Sequence, residues 1–121
     1  MSVAFLMHAP DIPSRVAGRV CEDYNTFTWG EPDGIRVDVT FQYDDMMRAK
    51  YPQLYPEWYE GKNCRQIADE LGKIIRQVRE HEPFARGHKP ENRRFSQQVS
   101  GLAQVYSVCL DHPDWMLTLN D

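Results

Sequence analysis

The stretch Ile35-Arg36-Val37-Asp38-Val39-Thr40-Phe41-Gln42 decides the fold class, because apolar and polar side chains alternate along it without a break. Successive side chains of a β-strand point to opposite faces, so a period of two predicts a strand with one packed face and one solvated face. Such half-buried strands are typical of antiparallel sheets. This region therefore predicts a small antiparallel sheet in the amino-terminal half.

Two further segments on the amino-terminal side fit the same sheet. Residues 30–34, Gly-Glu-Pro-Asp-Gly, supply turn chemistry, and residues 24–29 are mostly β-favouring, which predicts a hairpin with the strand at 35–41. The apolar run Val3 to Met7 predicts a buried strand.

A short helix and an ordered loop follow the hairpin. Asp44 and Asp45 are suited to cap a helix that ends before Pro52, since proline restricts the residue before it. Residues 51–60 crowd four aromatic side chains around two prolines, and this composition predicts an ordered loop laid across the core.

Two long amphipathic helices complete the prediction. Apolar residues recur at steps of three and four, which is the period of a helix with one buried face. In the first helix they are Cys64, Ile67, Ala68, Leu71, Ile74, Ile75 and Val78, and in the second Phe95, Val99, Leu102, Val105, Tyr106, Cys109 and Leu110. Trp115, Leu117 and Leu119 then alternate with Met116 and Thr118, so the tail adds a short strand or docks as an irregular segment. The predicted fold is α+β: a small antiparallel sheet from the amino-terminal half, packed against two long helices, in one domain over residues 1–121.

The charge of the chain is distributed unevenly. The net charge of -4 combines 5 Lys/Arg against 10 Asp/Glu in residues 1–61, 9 against 5 in residues 62–94, and 0 against 3 in residues 95–121. If the fold keeps these segments apart, it presents an acidic face and a basic face, and such faces steer macromolecular partners. The pattern favours binding over catalysis.

The first candidate site is an acidic and aromatic cluster. Tyrosine and tryptophan are favoured at interface hot spots, and surrounding carboxylates steer a basic partner, for example a nuclease or a nucleic-acid-binding protein. Its predicted partner-binding residues are Asp44, Asp45, Glu57, Trp58, Tyr59 and Glu60. The alternative is that the aromatic side chains simply cover the core.

The second candidate site is a basic cluster at the predicted start of the last helix. Cations there, together with the free amides of a helix amino terminus, would hold a phosphate, a nucleic acid or an acidic partner. The cluster comprises Arg86, His88, Lys89, Arg93 and Arg94. The alternative is a solvated loop whose cations pair with nearby glutamates.

Residues 65–72, Arg-Gln-Ile-Ala-Asp-Glu-Leu-Gly, resemble the first helix and turn of a helix-turn-helix DNA-binding unit. The resemblance implies a DNA-binding element around residues 65–81. Ile74 and Ile75 continue the apolar stripe past Gly72, however, so the same residues also fit one unbroken helix.

The cysteine pattern and the absence of known catalytic motifs narrow the possible functions. Cys21, Cys64 and Cys109 are odd in number and widely spaced, which favours a reduced cytoplasmic protein with Cys64 and Cys109 in the core. The sequence has no HExxH motif, phosphate-binding loop or GxSxG elbow, and no apolar stretch of membrane-spanning length. We therefore expect no enzyme, metal, cofactor or membrane association, although distant residues that converge in space keep a small enzyme open.

The sequence thus predicts a cytoplasmic, non-catalytic protein that binds one protein partner and inhibits it, of the immunity-protein, antitoxin or phage anti-defence type. A DNA-binding regulator is the first alternative and an enzyme without a recognisable motif is the second.

Overall fold

A four-stranded sheet runs through the part of the chain that this computed structural model describes, residues 2–12, 21–23, 33–82 and 93–120. The strands are β1 (Ser2–His8), β2 (Cys21–Asp23), β3 (Gly34–Thr40) and β4 (Met116–Asn120), in the spatial order β2-β3-β1-β4. The predicted strand at residues 3–7 is confirmed as β1, and the tail joins the sheet as β4.

β1 lies between two antiparallel neighbours. It pairs with β3 from Ser2 opposite Thr40 to His8 opposite Gly34, and with β4 from Ala4 opposite Asn120 to His8 opposite Met116. β3 alternates buried and exposed positions as its sequence predicts, whereas β1 is buried on both faces. A strand enclosed on both faces reads as a continuous apolar run, which explains why β1 shows no alternation.

The predicted hairpin joins residues 24–29 to β3 through a turn at residues 30–34, and it stays a prediction. Residues 24–29 and most of the proposed turn lie outside the described residues. Within the described part, the first three residues of β3 pair in parallel with β2, from Cys21 opposite Gly34 to Asp23 opposite Arg36. The antiparallel partner of β3 is β1 from the start of the chain.

A short helix, α1 (Asp45–Lys50), and two 3₁₀ turns, Pro52–Leu54 and Pro56–Tyr59, follow β3. Asp44 caps α1 as predicted, because its carboxylate accepts a hydrogen bond of 3.0 Å from the Met47 amide. Each 3₁₀ turn begins at a proline, whose fixed φ suits the first position of a helical turn. The predicted ordered loop is confirmed, since Tyr51, Leu54, Tyr55 and Tyr59 are all buried.

The helix α2 (Cys64–His81) is fixed at its start by a capping box. The Asn63 side chain accepts from the Gln66 amide at 2.9 Å, and the Gln66 side chain accepts from the Asn63 amide at 3.0 Å. Its buried residues, at steps of three and four, are Cys64, Ile67, Leu71, Ile75 and Val78. The predicted amphipathic helix is confirmed.

The helix α3 (Arg93–Asp111) packs on the sheet and alongside α2. Contacts of Cys64 with Cys109, and of Gly72 with Tyr106, show that α2 and α3 run antiparallel. Gly101 allows the close approach to the sheet, because a Cβ at this position would lie 3.2 Å from both methyl carbons of Val39. The second predicted helix is confirmed, except that Leu110 at its end is 53% exposed.

The architecture is α+β, as the sequence predicts: a largely antiparallel sheet of mostly amino-terminal strands, covered by two long helices. The main core joins one face of the sheet to α2, α3 and the 3₁₀ turns, while Ala4 and Leu6 form a small separate cluster on the other face. Among the described helices, none is long and apolar enough to span a bilayer.

Candidate functional site

The helix α1 differs from the other described helices because it buries none of its six residues. Met47 is half-buried against the core, and polar contacts hold the rest of the helix. Arg48 forms an ion pair with Glu57 in the second 3₁₀ turn, and Lys50 Nζ lies 2.7 Å from Glu82 Oε1 at the end of α2. These contacts fix α1 against two neighbouring elements, and the Asp44 cap stabilises its start.

Two large apolar side chains are exposed at α1. Tyr43 is 41% exposed and Met46 is 83% exposed. The Tyr43 ring lies 5.8 Å from the Tyr55 ring and 6.5 Å from the Phe41 ring, measured between centroids, and the Arg48 guanidinium lies 5.4 Å from the Tyr43 centroid. We call Tyr43, Asp44, Asp45, Met46 and Glu57 the α1 face.

The structure divides the predicted acidic and aromatic cluster. Asp44, Asp45, Glu57 and Glu60 are exposed, and Trp58 is half-buried with Lys62 Nζ 4.4 Å from its ring centroid. Tyr59 is 1% exposed, and its hydroxyl donates a hydrogen bond of 2.7 Å to the Gln53 carbonyl. Burial raises the pKa of the Tyr59 hydroxyl well above its usual value. The placement of Tyr59 on a partner-binding surface is therefore wrong.

The charges in this region intermingle, contrary to the predicted acidic face. Residues 43–62 hold four carboxylates and three cations. Arg48 is paired with Glu57, Lys62 contacts Trp58, and Lys50 reaches out to Glu82. The surface is mixed in sign, because side chains from separate acidic and basic segments meet where α1, the 3₁₀ turns and α2 converge. Long-range steering by this region is correspondingly weaker than the sequence suggests.

The basic cluster falls largely outside the described residues. Arg86, His88 and Lys89 belong to residues 83–92, which the structure leaves undescribed. Arg93 and Arg94 form the first turn of α3, and only their backbone is described. The anion site at this position stays a prediction.

The helix-turn-helix interpretation of residues 65–81 is wrong as a description of the local structure. α2 continues through Gly72 without a turn, because Ile75 and Val78 carry the buried stripe onward. Gly72 serves packing instead. A Cβ there would lie 2.7–2.8 Å from the end of the Tyr106 ring, so the glycine lets this ring cross α2.

Beside Tyr106, an open groove of about 520 Å³ separates α2 from α3. Arg76, Arg79 and Glu80 line its α2 side, and Ala103, Tyr106 and Ser107 line its α3 side. Sequence reasoning missed this groove, because it depends on the register between two antiparallel helices.

The two core cysteines touch each other. Cys64 and Cys109 are both fully buried as predicted, and the Cys109 thiol donates a hydrogen bond to Cys64 Sγ across 2.9 Å. This bond and burial raise the pKa of the Cys109 thiol. The sequence indicated that each cysteine faces the core, but it held no signal that they meet.

The described histidines belong to no metal centre. His8 is buried, with Nε2 2.9 Å from the Thr118 hydroxyl oxygen, and the His112 ring stacks on Trp115 with centroids 3.7 Å apart. Across residues 2–12, 21–23, 33–82 and 93–120, no group of three or more His, Cys, Asp or Glu side chains is placed to hold a metal ion.

Compared with protein-family models, with curated proteins and with solved structures, the chain matches none of them. The function is therefore inferred from the contacts, burial and charges of the described residues.

Proposed function

We propose that this protein is a non-catalytic inhibitor that binds one protein partner through the α1 face. The proposal covers the immunity-protein, antitoxin and phage anti-defence types of inhibitor, and it places the protein in the cytoplasm, because an odd number of cysteines, three, fits reducing conditions. The observation that carries it is that Met46 on α1 and the neighbouring Tyr43 are exposed, while the Asp44 cap and two ion pairs hold α1 in place.

The helix α1 needs support from the rest of the molecule. A six-residue helix is unstable by itself in water, because nucleation is unfavourable and few hydrogen bonds repay it. Packing offsets little of that cost here, since α1 buries none of its residues fully and Met47 is only half-buried against the core. The helix depends on the Asp44 cap and on ion pairs to Glu57 and Glu82. Because the cap and the ion pairs hold α1 at its ends, its outer surface is left accessible to a partner.

The exposed side chains of the α1 face are of types that are common in protein interfaces. Methionine, tyrosine and arginine are enriched at the centres of protein interfaces, and the α1 face exposes Met46 and Tyr43, with Arg48 against the Tyr43 ring. Tyr43 is held between Phe41, Tyr55 and Arg48, so little conformational entropy is lost when a partner covers it.

The carboxylates define the kind of partner. Asp44 and Asp45 directly precede Met46 in sequence and are exposed, while the Glu57 carboxylate is already paired with Arg48. A complementary surface would offer an apolar pocket for Met46 with lysine or arginine at its edge. Nucleases and other nucleic-acid-binding proteins carry such basic surfaces, and covering one would inhibit the partner.

Site-specific photo-crosslinking tests the proposal. A photoreactive phenylalanine analogue replaces Met46 in the α1 face or, as a matched control, Met116, a 43% exposed methionine on β4. We expect irradiation in the native host to attach one protein to position 46 and not to position 116. The purified partner should then lose activity at an equimolar amount of the inhibitor.

Three outcomes would contradict the proposal. Equal adducts at positions 46 and 116 would remove the α1 face as the docking surface. A captured partner whose activity is unchanged would remove the inhibitory role, and retention of duplex DNA in place of a protein would favour the DNA-binding alternative.

A further inference from the structure

We propose that Cys64 and Cys109 are a site of reversible oxidation, at which a peroxide converts two core thiols into an intramolecular disulfide that joins the start of α2 to the end of α3. The inference goes beyond the proposed binding function and does not depend on it.

The distance between the sulfurs carries the proposal. Cys64 Sγ and Cys109 Sγ lie 2.9 Å apart. Nonbonded carbon atoms in contact are about 3.5–4.0 Å apart, and sulfur is larger than carbon, so the two sulfurs are already closer than ordinary packing partners. A disulfide bond of about 2.05 Å requires the sulfurs to approach by only about 0.9 Å.

The supporting backbone holds both residues in place. Cys64 is the first residue of α2, directly after the capping box, and its amide donates a hydrogen bond of 3.0 Å to the Trp115 carbonyl. Cys109 lies in the last turn of α3. Each thiol therefore lies at an ordered helix end, and both side chains belong to the packed core.

The burial of both cysteines favours a small oxidant over a protein oxidant. Both side chains are 0% exposed, and the segment 112–116 crosses the start of α2 through the Trp115 hydrogen bond and the bridge between Asn63 and Met116. A protein disulfide exchanger would have to bring its own sulfur into contact with one of these thiols, and the residues that cover them prevent this contact. Hydrogen peroxide is close to water in size, so a small opening of this segment admits it.

The chemical steps balance with peroxide as the only co-reactant. Cys64 sulfur attacks one peroxide oxygen, the O–O bond breaks, and the products are a sulfenic acid on Cys64 and one water. The Cys109 sulfur then attacks the sulfenic sulfur, and its thiol proton leaves with the hydroxyl as a second water. Two sulfurs lose two electrons in total, and the peroxide gains them. The hydrogen bond that Cys109 donates keeps this thiol protonated, which assigns the first attack to Cys64.

The consequence is a constraint on the unfolded chain. The cysteines are 45 positions apart, and a crosslink across such a loop restricts the unfolded ensemble. We expect the oxidised protein to melt about 10 °C above the reduced protein.

The test uses the full chain with Cys21→Ser, so that only the pair remains. After treatment with hydrogen peroxide, the denatured protein should show no free thiol instead of two, its mass should fall by two hydrogens, and peptide mapping should recover Cys64 joined to Cys109. The melting temperature should rise, and dithiothreitol should reverse every change.

Control variants keep the test decisive. Cys64→Ser and Cys109→Ser in the same background each keep one thiol, so peroxide should give them neither the loss of two hydrogens nor the higher melting temperature. The proposal fails if both thiols of the paired protein survive peroxide, if they are oxidised separately to sulfinic acids, or if the crosslinks join two chains.

Discussion

The helices α1 and α3 are held in the molecule by different forces. α1 buries none of its residues and depends on a cap and two ion pairs, whereas α3 buries Gln98, Val99, Leu102 and Val105 between the sheet and α2. Substitutions at the buried positions of α3 should therefore change stability, and substitutions of the exposed Tyr43 and Met46 should change binding while stability stays the same. The predictions below test this division, in order of decreasing effect.

The largest loss is expected at Gln98. Its side chain is 0% exposed and bridges two chain segments, because Oε1 accepts from the Gln42 amide at 2.8 Å and Nε2 donates to the Leu54 carbonyl at 2.7 Å. Gln98→Leu leaves both backbone groups unpaired and should lower the free energy of unfolding by about 3 kcal/mol. Denaturant unfolding measures this loss in the free energy of unfolding. Gln97→Leu, at the exposed neighbour, is the matched control and should change stability by less than about 0.5 kcal/mol.

The helix glycines should respond oppositely to alanine. Gly101→Ala places a methyl group 3.2 Å from two carbons of the buried, stiff Val39 side chain, so α3 must move away from β3. We expect a loss of about 1 kcal/mol after the gain in helix propensity is subtracted. Gly72→Ala meets only the end of Tyr106, which can turn into the open groove, and should cost nothing or stabilise by up to about 1 kcal/mol. The same sign for both variants would contradict the packing described.

The Asp44 cap should contribute a smaller amount. Asp44→Ala removes the acceptor for the Met47 amide and should lower the free energy of unfolding by about 1 kcal/mol, with faster amide exchange in α1. Asp44→Asn separates capping from charge, because asparagine caps a helix equally well. An equal loss for Asp44→Asn would show that the carboxylate acts through its charge instead.

The smallest effect is a pH dependence at the end of α1. The Lys50 hydrogen bond lowers the pKa of Glu82 from its ordinary value of 4.5, although burial opposes the shift. A lowered pKa stabilises the fold above the ordinary value, and this stabilisation disappears as the pH falls through the lower pKa of the folded state. The stability advantage of the wild type over Glu82→Gln should therefore be constant near pH 6–7 and shrink below about pH 4.5. An advantage that grows on acidification would contradict the ion pair.

Local patterns in the sequence were sufficient for most of the fold. The alternation of β3, the Asp44 cap and the apolar stripes of α2 and α3 are each set by residues within a few positions of one another. The capping box of Asn63 and Gln66 was also readable, since it spans only three positions.

Features that join distant parts of the chain were not readable. Whether Trp58 or Tyr59 faces the core depends on how the second 3₁₀ turn is oriented on the sheet. The partners of Gln98 lie 44 and 56 positions away, and the contact between Cys64 and Cys109 depends on helix register. The separation of acidic and basic segments along the chain likewise gave no information on the ion pairs formed in space.

The affinity of the crosslinked partner for two double variants tests the central claim most directly. Tyr43→Ala combined with Met46→Ala truncates the α1 face, while Leu110→Ala combined with Met116→Ala truncates two other exposed apolar side chains. With folding verified for both, we predict that the first variant weakens the Kd about 100-fold and the second less than about threefold. An unchanged Kd for the first variant, or an equal loss for the second, would contradict docking through α1.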